Sequence, residues 1–170
     1  MKWIGALLFI GITTWVGFDW SRKLSNRPTE IRQLKSALQI LEAEMLYSQL
    51  PLRSAFTIIA KQIPRPTKLL FENLANGMKG NQVDLMNLWE SCVGELMATS
   101  SLSRNEKEVL MQFGRTLGQH DFAQQQKHIQ LTTTHLEREL EEARDNQYKY
   151  GKMAKSLGFL CGLFIVILLI

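Results

Sequence analysis

Apolar residues recur at helical spacing along most of the chain, and the longest such segment covers residues 121–170. Its first part is polar except for one narrow apolar stripe, formed by Phe122, Ile129, Leu136, Leu140 and Ala143. This spacing predicts an amphipathic α-helix. Asp121 and Gln124 stand three residues apart at its start, as in a capping box. Because an apolar run over residues 157–170 follows without a proline, we predict one long helix that is continuous with a C-terminal anchor.

Five shorter amphipathic helices are predicted before this segment. Residues 26–29 indicate a short break, after which a helix of about five turns begins with Pro28 in its first turn. Prolines and glycines separate the next helices, and the sequence Ser-Arg-Asn-Glu at residues 103–106 has the capping-box pattern that starts the fifth. No segment alternates with the period of a strand. The prediction is an all-α fold, a six-helix bundle with short connections.

Both ends of the chain carry apolar runs that predict membrane anchors. Residues 3–18 contain no charged residue, and Trp3, Trp15 and Trp20 stand near the ends of this run, as in an interfacial aromatic belt. A cleaved signal peptide is the alternative, but no small-residue cleavage site follows the run. We therefore predict an N-terminal transmembrane helix over residues 1–21, a helical bundle over 22–152 and a C-terminal transmembrane helix over 153–170.

Lysine and arginine residues cluster on the inner flanks of the two runs. Arg22, Lys23 and Arg27 follow the first, and three lysines at positions 149, 152 and 155 precede the second. The positive-inside rule then places the bundle in the cytoplasm, with both termini across the membrane. The net charge of +4 also permits nucleic-acid binding, but no nucleic-acid-reading motif accompanies it, so the membrane flank is the favoured interpretation.

The sequence contains no recognisable catalytic motif. It has neither a P-loop pattern nor a nucleophile elbow, and its two cysteines, Cys92 and Cys161, are too far apart to suggest a metal site. His128 and His135 are seven residues apart, whereas two zinc ligands on one helix are usually four apart. We therefore expect no enzymatic activity, no metal and no cofactor.

Two sets of residues are candidates for docking a partner. The first is acidic and lies on the sixth predicted helix: Glu137, Glu139, Glu141 and Glu142. These carboxylates suggest a solvated surface or an electrostatic docking face. The second set lies in the turn before that helix: Gly114, Arg115, Gly118 and Asp121. Here glycine permits close helix approach and a helix end, and aspartate caps the next helix, so the turn is either structural or a docking site.

Several segments of the sequence resemble the stage III sporulation AB family of endospore-forming bacteria. The most specific is Gly-Arg-Thr-Leu-Gly-Gln-His-Asp at residues 114–121, and the segments at 27–42, 51–56 and 126–129 are also similar. The resemblance covers essentially the whole chain. That family is similar in turn to the cytoplasmic helical domain of inner-membrane platform proteins from type II secretion and type IV pilus systems, which usually carry two such domains.

The resemblance implies a part of the channel complex between mother cell and forespore, in the mother-cell membrane that faces the forespore. The implied partners are a cytoplasmic secretion-type ATPase, other membrane components of the complex and the lipid bilayer, with no nucleic acid. An alternative function is a membrane-anchored extracytoplasmic helical sensor or adaptor domain. That alternative requires the opposite charge bias and a cytoplasmic output domain, which we do not expect from this sequence.

Overall fold

The computed structural model describes residues 2–80, 84–118 and 122–169, and this part of the chain consists of helices and their connections, without a strand. The helices are α1 (Lys2–Ala43), α2 (Leu52–Gln62), α3 (Thr67–Gly77), α4 (Leu85–Thr99), α5 (Arg104–Thr116) and α6 (Phe122–Leu169). A π-helical turn, Glu44–Ser48, follows α1 directly. The predicted all-α class with six helices is confirmed. The continuity of the last helix with the C-terminal apolar run is confirmed as well.

The helices form two compact units. The bundle unit is Thr29–Glu141, and the terminal unit consists of Met1–Pro28 together with Glu142–Ile170. Within the terminal unit, Gln147 Nε2 lies 3.4 Å from Ser25 Oγ, and an Arg27 guanidinium nitrogen lies 3.8 Å from a Glu142 carboxylate oxygen. These contacts join the first and last helices of the chain inside that unit.

No helix in the described part of the chain has an apolar stretch of the length needed to cross a bilayer. The two transmembrane helices stay predictions.

The predicted break at residues 26–29 is wrong, because α1 continues through Pro28 as one helix. Proline cannot donate its helical hydrogen bond, and an interior proline costs a helix about 3 kcal/mol. Its fixed φ is nevertheless helical, so packing on either side can hold the helix together. Pro28 is itself buried, and Ile31 and Leu34 follow it as fully buried core residues of the bundle unit. Burial of this apolar face outweighs the local helix-breaking preference.

An aromatic chain forms the centre of the bundle unit. The ring centroids of Phe56 and Phe71 are 5.8 Å apart, those of Phe56 and Trp89 are 6.5 Å apart, and those of Trp89 and Phe113 are 5.4 Å apart. The last pair is edge-to-face, a favoured geometry for aromatic rings. The four rings come from α2, α3, α4 and α5, so this cluster fixes the packing of all four short helices.

Polar side chains connect α1 to α6 within the bundle unit. Glu42 accepts hydrogen bonds from Gln126 Nε2 at 3.0 Å and from Gln130 Nε2 at 2.9 Å, and Lys35 forms an ion pair with Glu137. Because the later residue on α1 contacts the earlier residues on α6, the two helices run antiparallel here. Three residues of the predicted apolar stripe of α6, Ile129, Leu136 and Leu140, are buried in the bundle unit, and Ala143 is buried in the terminal unit. The side chain of Phe122 lies outside the described part of the chain.

Candidate functional site

Gly114 is a packing residue. A Cβ at this position would lie 2.2 Å from Cδ1 of Trp89, far inside van der Waals contact. The indole therefore lies directly against the backbone of α5, and its Nε1 donates a 2.8 Å hydrogen bond to the carbonyl of Leu110. The predicted close helix approach at Gly114 is observed, and Trp89 is the group that approaches. Being buried, Gly114 is not itself a surface for a partner.

Gly118 forms the turn after α5 with a φ of +76°, in the left-handed region that favours glycine. Its N–H donates a 3.1 Å hydrogen bond to Oε1 of Gln125, a side chain that is only 1% exposed. A Cβ here would lie 3.2 Å from Leu85 and 3.6 Å from Leu52, at the first residues of α4 and α2. The predicted helix end at Gly118 is confirmed, since α5 ends at Thr116.

Arg115, the charged docking candidate described in this turn, has an exposed side chain. No described residue pairs with it. Asp121 lies outside the described residues, so its role in this turn stays a prediction. The capping box of Asp121 and Gln124 also stays a prediction. In this motif, Gly114 is buried and Gly118 forms the turn. The side chain of Arg115 is accessible to a partner.

The four acidic candidates on α6 have different surroundings. Glu137 forms the ion pair with Lys35, and Glu139 is 4% exposed and accepts a 3.1 Å hydrogen bond from Asn105 Nδ2. Glu141 and Glu142 are exposed. The Glu137 side chain is 46% exposed, so only Glu139 is buried, and the four carboxylates do not form one exposed acidic face. A docking role for Glu141 and Glu142 stays a prediction.

Two buried carboxylates accept hydrogen bonds from the loop that connects α4 to α5. Glu106 is fully buried and accepts from both the N–H and the Oγ of Ser103 at 2.5 Å, which confirms the predicted capping box. Glu30 on α1 accepts a 2.6 Å hydrogen bond from the N–H of Ser101. Burial raises the pKa of the Glu30 carboxyl above its ordinary value; hydrogen bonds from Ser101 act against this rise, and the charge of Glu106 adds to it.

Cys92 is buried in α4. Burial raises the pKa of its thiol to about 11, and the nearby charge of Glu95 contributes in the same direction. Because the thiolate is the reactive form, this cysteine is chemically protected in the folded chain.

Sequence reasoning missed a groove between α5 and α6. We define the α5–α6 groove by the eight residues that line it, which are Val109, Gln112, Phe113, Thr116, His128, Leu131, Thr132 and His135. It encloses about 90 Å³. The sequence feature that could have indicated the groove was Leu131, an apolar residue outside the buried stripe of α6. His128 and His135 share the groove, but no group of three or more potential ligands among the described residues is arranged to hold a metal ion.

Comparison with known proteins identifies the family. The family model described as Stage III sporulation protein AB matches residues 2–170. The chain belongs to this family. Stage III sporulation protein AB of Bacillus subtilis (strain 168) is 44% identical over 169 residues, which cover 99% of each chain. A solved structure of Stage III sporulation protein AB superimposes with a TM-score of 0.68 at 43% identity, and the match covers 73% of this chain and 98% of that one.

The family assignment confirms the resemblance inferred from the sequence. The family is named for a stage of sporulation and not for a catalysed reaction.

Proposed function

We propose that this chain is a non-enzymatic platform of a sporulation channel complex between mother cell and forespore. In this proposal it is anchored in the mother-cell membrane by both terminal apolar runs, with the bundle unit in the cytoplasm. The bundle docks a cytoplasmic secretion-type ATPase, and the terminal helices contact the bilayer and the other membrane components. Family membership over residues 2–170 supports the sporulation role.

The observation that carries the platform proposal is the continuity of α6. One helix includes both the stripe buried in the bundle unit and the apolar run that ends at Leu169. At about 1.5 Å per residue, a helix transmits displacement along its axis without the slack of a loop. Such a helix suits a part that links a motor to a membrane channel. The lysines and arginines that flank both apolar runs support a cytoplasmic position for the bundle.

The direct test is binding between the full chain and the ATPase. The full chain is reconstituted in lipid nanodiscs, and the purified secretion-type ATPase of the same organism is added, with empty nanodiscs as the control. The proposal predicts saturable binding that requires the chain. Absence of binding in nanodiscs, together with failure of the ATPase to co-purify with the chain from sporulating-cell membranes, would overturn it.

A further inference from the structure

The α5–α6 groove has the size of a single inserted side chain. Its volume of about 90 Å³ is well below the roughly 300–1,000 Å³ of pockets that hold small organic ligands. Val109, Phe113 and Leu131 supply its apolar lining, and threonine, glutamine and histidine side chains supply the rest. A protein side chain is therefore a better match in size than a metabolite.

Leu131 is the exposed apolar contact of this groove. Its side chain is 49% exposed, whereas Ile129 and Leu136 on the same helix are at most 1% exposed. The core of the bundle unit is thus already formed without Leu131. An apolar side chain that borders a cavity and does not join the core is available to a partner.

The unpaired charges beside the groove, among the described residues, are basic, because the two acidic neighbours, Glu108 and Glu139, are engaged by Arg104 and Asn105. No carboxylate lines it. Arg115 is three residues after Gln112 on α5, and Lys127 is four residues before Leu131 on α6. Residues so spaced are neighbours on a helix surface. Both side chains are exposed and have no partner among the described residues. Glu108, the acidic residue beside Val109, forms an ion pair with Arg104, with 2.9 Å between Glu108 Oε1 and Arg104 Nε.

We propose that the α5–α6 groove docks an acidic amphipathic helix of a protein partner. A large apolar side chain of that helix seats against Leu131 and Phe113, and its flanking carboxylates pair with Arg115 and Lys127. This is the helix-in-groove mode of recognition, in which one or two apolar anchors supply most of the affinity and charges set the orientation. The inference rests on the proposed function, under which the helix belongs to the secretion-type ATPase.

The test uses the nanodisc binding assay with matched pairs of variants in the full chain. Leu131→Glu removes the apolar contact, and Leu46→Glu changes another leucine that is 40% exposed, in the π-helical turn. Arg115→Glu reverses a charge beside the groove, and Arg53→Glu reverses an exposed arginine on α2. We expect each groove variant to weaken ATPase binding about tenfold or more, as for a central interface residue, and each control to stay within about twofold.

The outcomes separate this inference from the proposed function. If the unaltered chain binds the ATPase and both groove variants bind equally well, the groove inference is wrong and the platform proposal stands. If the unaltered chain does not bind the ATPase in nanodiscs and the ATPase does not co-purify with it from sporulating-cell membranes, the proposed function itself fails. The oligomeric state of each variant, measured by light scattering, distinguishes another occupant. A change of that state in Leu131→Glu without loss of ATPase binding would show that a second copy occupies the groove, which also overturns the inference.

Discussion

The Trp89 indole on α4 donates its N–H to the carbonyl of Leu110 on α5, at a distance of 2.8 Å. This hydrogen bond is buried, and the same indole packs edge-to-face on Phe113. The bond is possible because Gly114, one turn beyond Leu110, has no side chain to hold the indole away. The glycine of the family-like motif therefore has a structural role in joining α4 to α5.

Gly114→Ala is expected to destabilise the chain by about 2–4 kcal/mol. The added Cβ would meet an indole that is fixed by a hydrogen bond and by two aromatic neighbours, so overpacking and loss of a buried hydrogen bond combine. For a chain of this size the melting temperature should fall by roughly 5–15 °C, measured by tryptophan fluorescence of the full chain in detergent.

Gly94→Ala is the matched control for this substitution. Gly94 lies inside α4, and nothing lies within 4 Å of an added Cβ. Alanine favours a helix over glycine by about 0.5–1 kcal/mol, so this variant should melt slightly higher than the unaltered chain. Equal shifts in the two variants would contradict the role assigned to Gly114.

Gly118→Ala is expected to cost about 1–2 kcal/mol, because alanine is strained at a φ of +76°. Gly118→Asn adds a Cβ in the same place but tolerates the left-handed conformation better. The asparagine variant should therefore melt at a higher temperature than the alanine variant. If the order is reversed, contact with Leu85 and not backbone conformation governs this position.

The raised pKa of Glu30 predicts a pH-dependent effect of Glu30→Gln. Folding favours the protonated carboxyl, so the contribution of Glu30 is fully present at pH values below the ordinary glutamate pKa and is lost as the pH rises through the raised native pKa. Glutamine is neutral and keeps an oxygen for the Ser101 N–H. The melting temperature of the variant minus that of the unaltered chain should therefore increase from about pH 4 to pH 7.

Glu141→Gln, which removes an exposed carboxylate, is the control for Glu30→Gln. The same increase in both variants would show that general surface charge, and not burial at Glu30, causes the effect.

Cys92 should resist thiol reagents in the folded chain. Its pKa of about 11 is two units above the ordinary value of 9.0, which lowers the thiolate fraction about 100-fold, and burial slows access further. In a Cys161→Ser background, alkylation at about pH 8 should therefore be at least roughly 100-fold slower in the native chain than in urea. Rapid labelling of the native chain would mean that α4 opens readily.

The helix pattern was predictable from the sequence because the buried residues repeat at helical spacing. The capping box of Ser103 and Glu106 and the left-handed Gly118 were predictable from local chemistry. The continuity of α1 through Pro28 was not predictable, because the local preference of proline indicates a break and only tertiary packing keeps α1 continuous. Periodicity also treats a glutamate as solvated, so the burial of Glu30 and Glu139 could not be inferred from it.

The α5–α6 groove could not be predicted from the sequence for a related reason. Whether Leu131 is a surface residue or part of a binding site depends on which helix packs beside it, and one helix pattern does not contain that information. The partner of Gly114 was hidden likewise, since the contact with Trp89 joins residues that are 25 positions apart in the sequence.

Cysteine labelling in cells tests most directly whether the bundle unit lies in the cytoplasm of a membrane-anchored chain. Ser91 is exposed on α4, so Ser91→Cys provides a reporter in a full chain that also carries Cys92→Ala and Cys161→Ser. A membrane-permeant maleimide first confirms that the reporter reacts. We expect a membrane-impermeant maleimide to label the reporter only after the cells are permeabilised. Equal labelling in intact cells would place the bundle outside the cytoplasm and contradict the platform proposal.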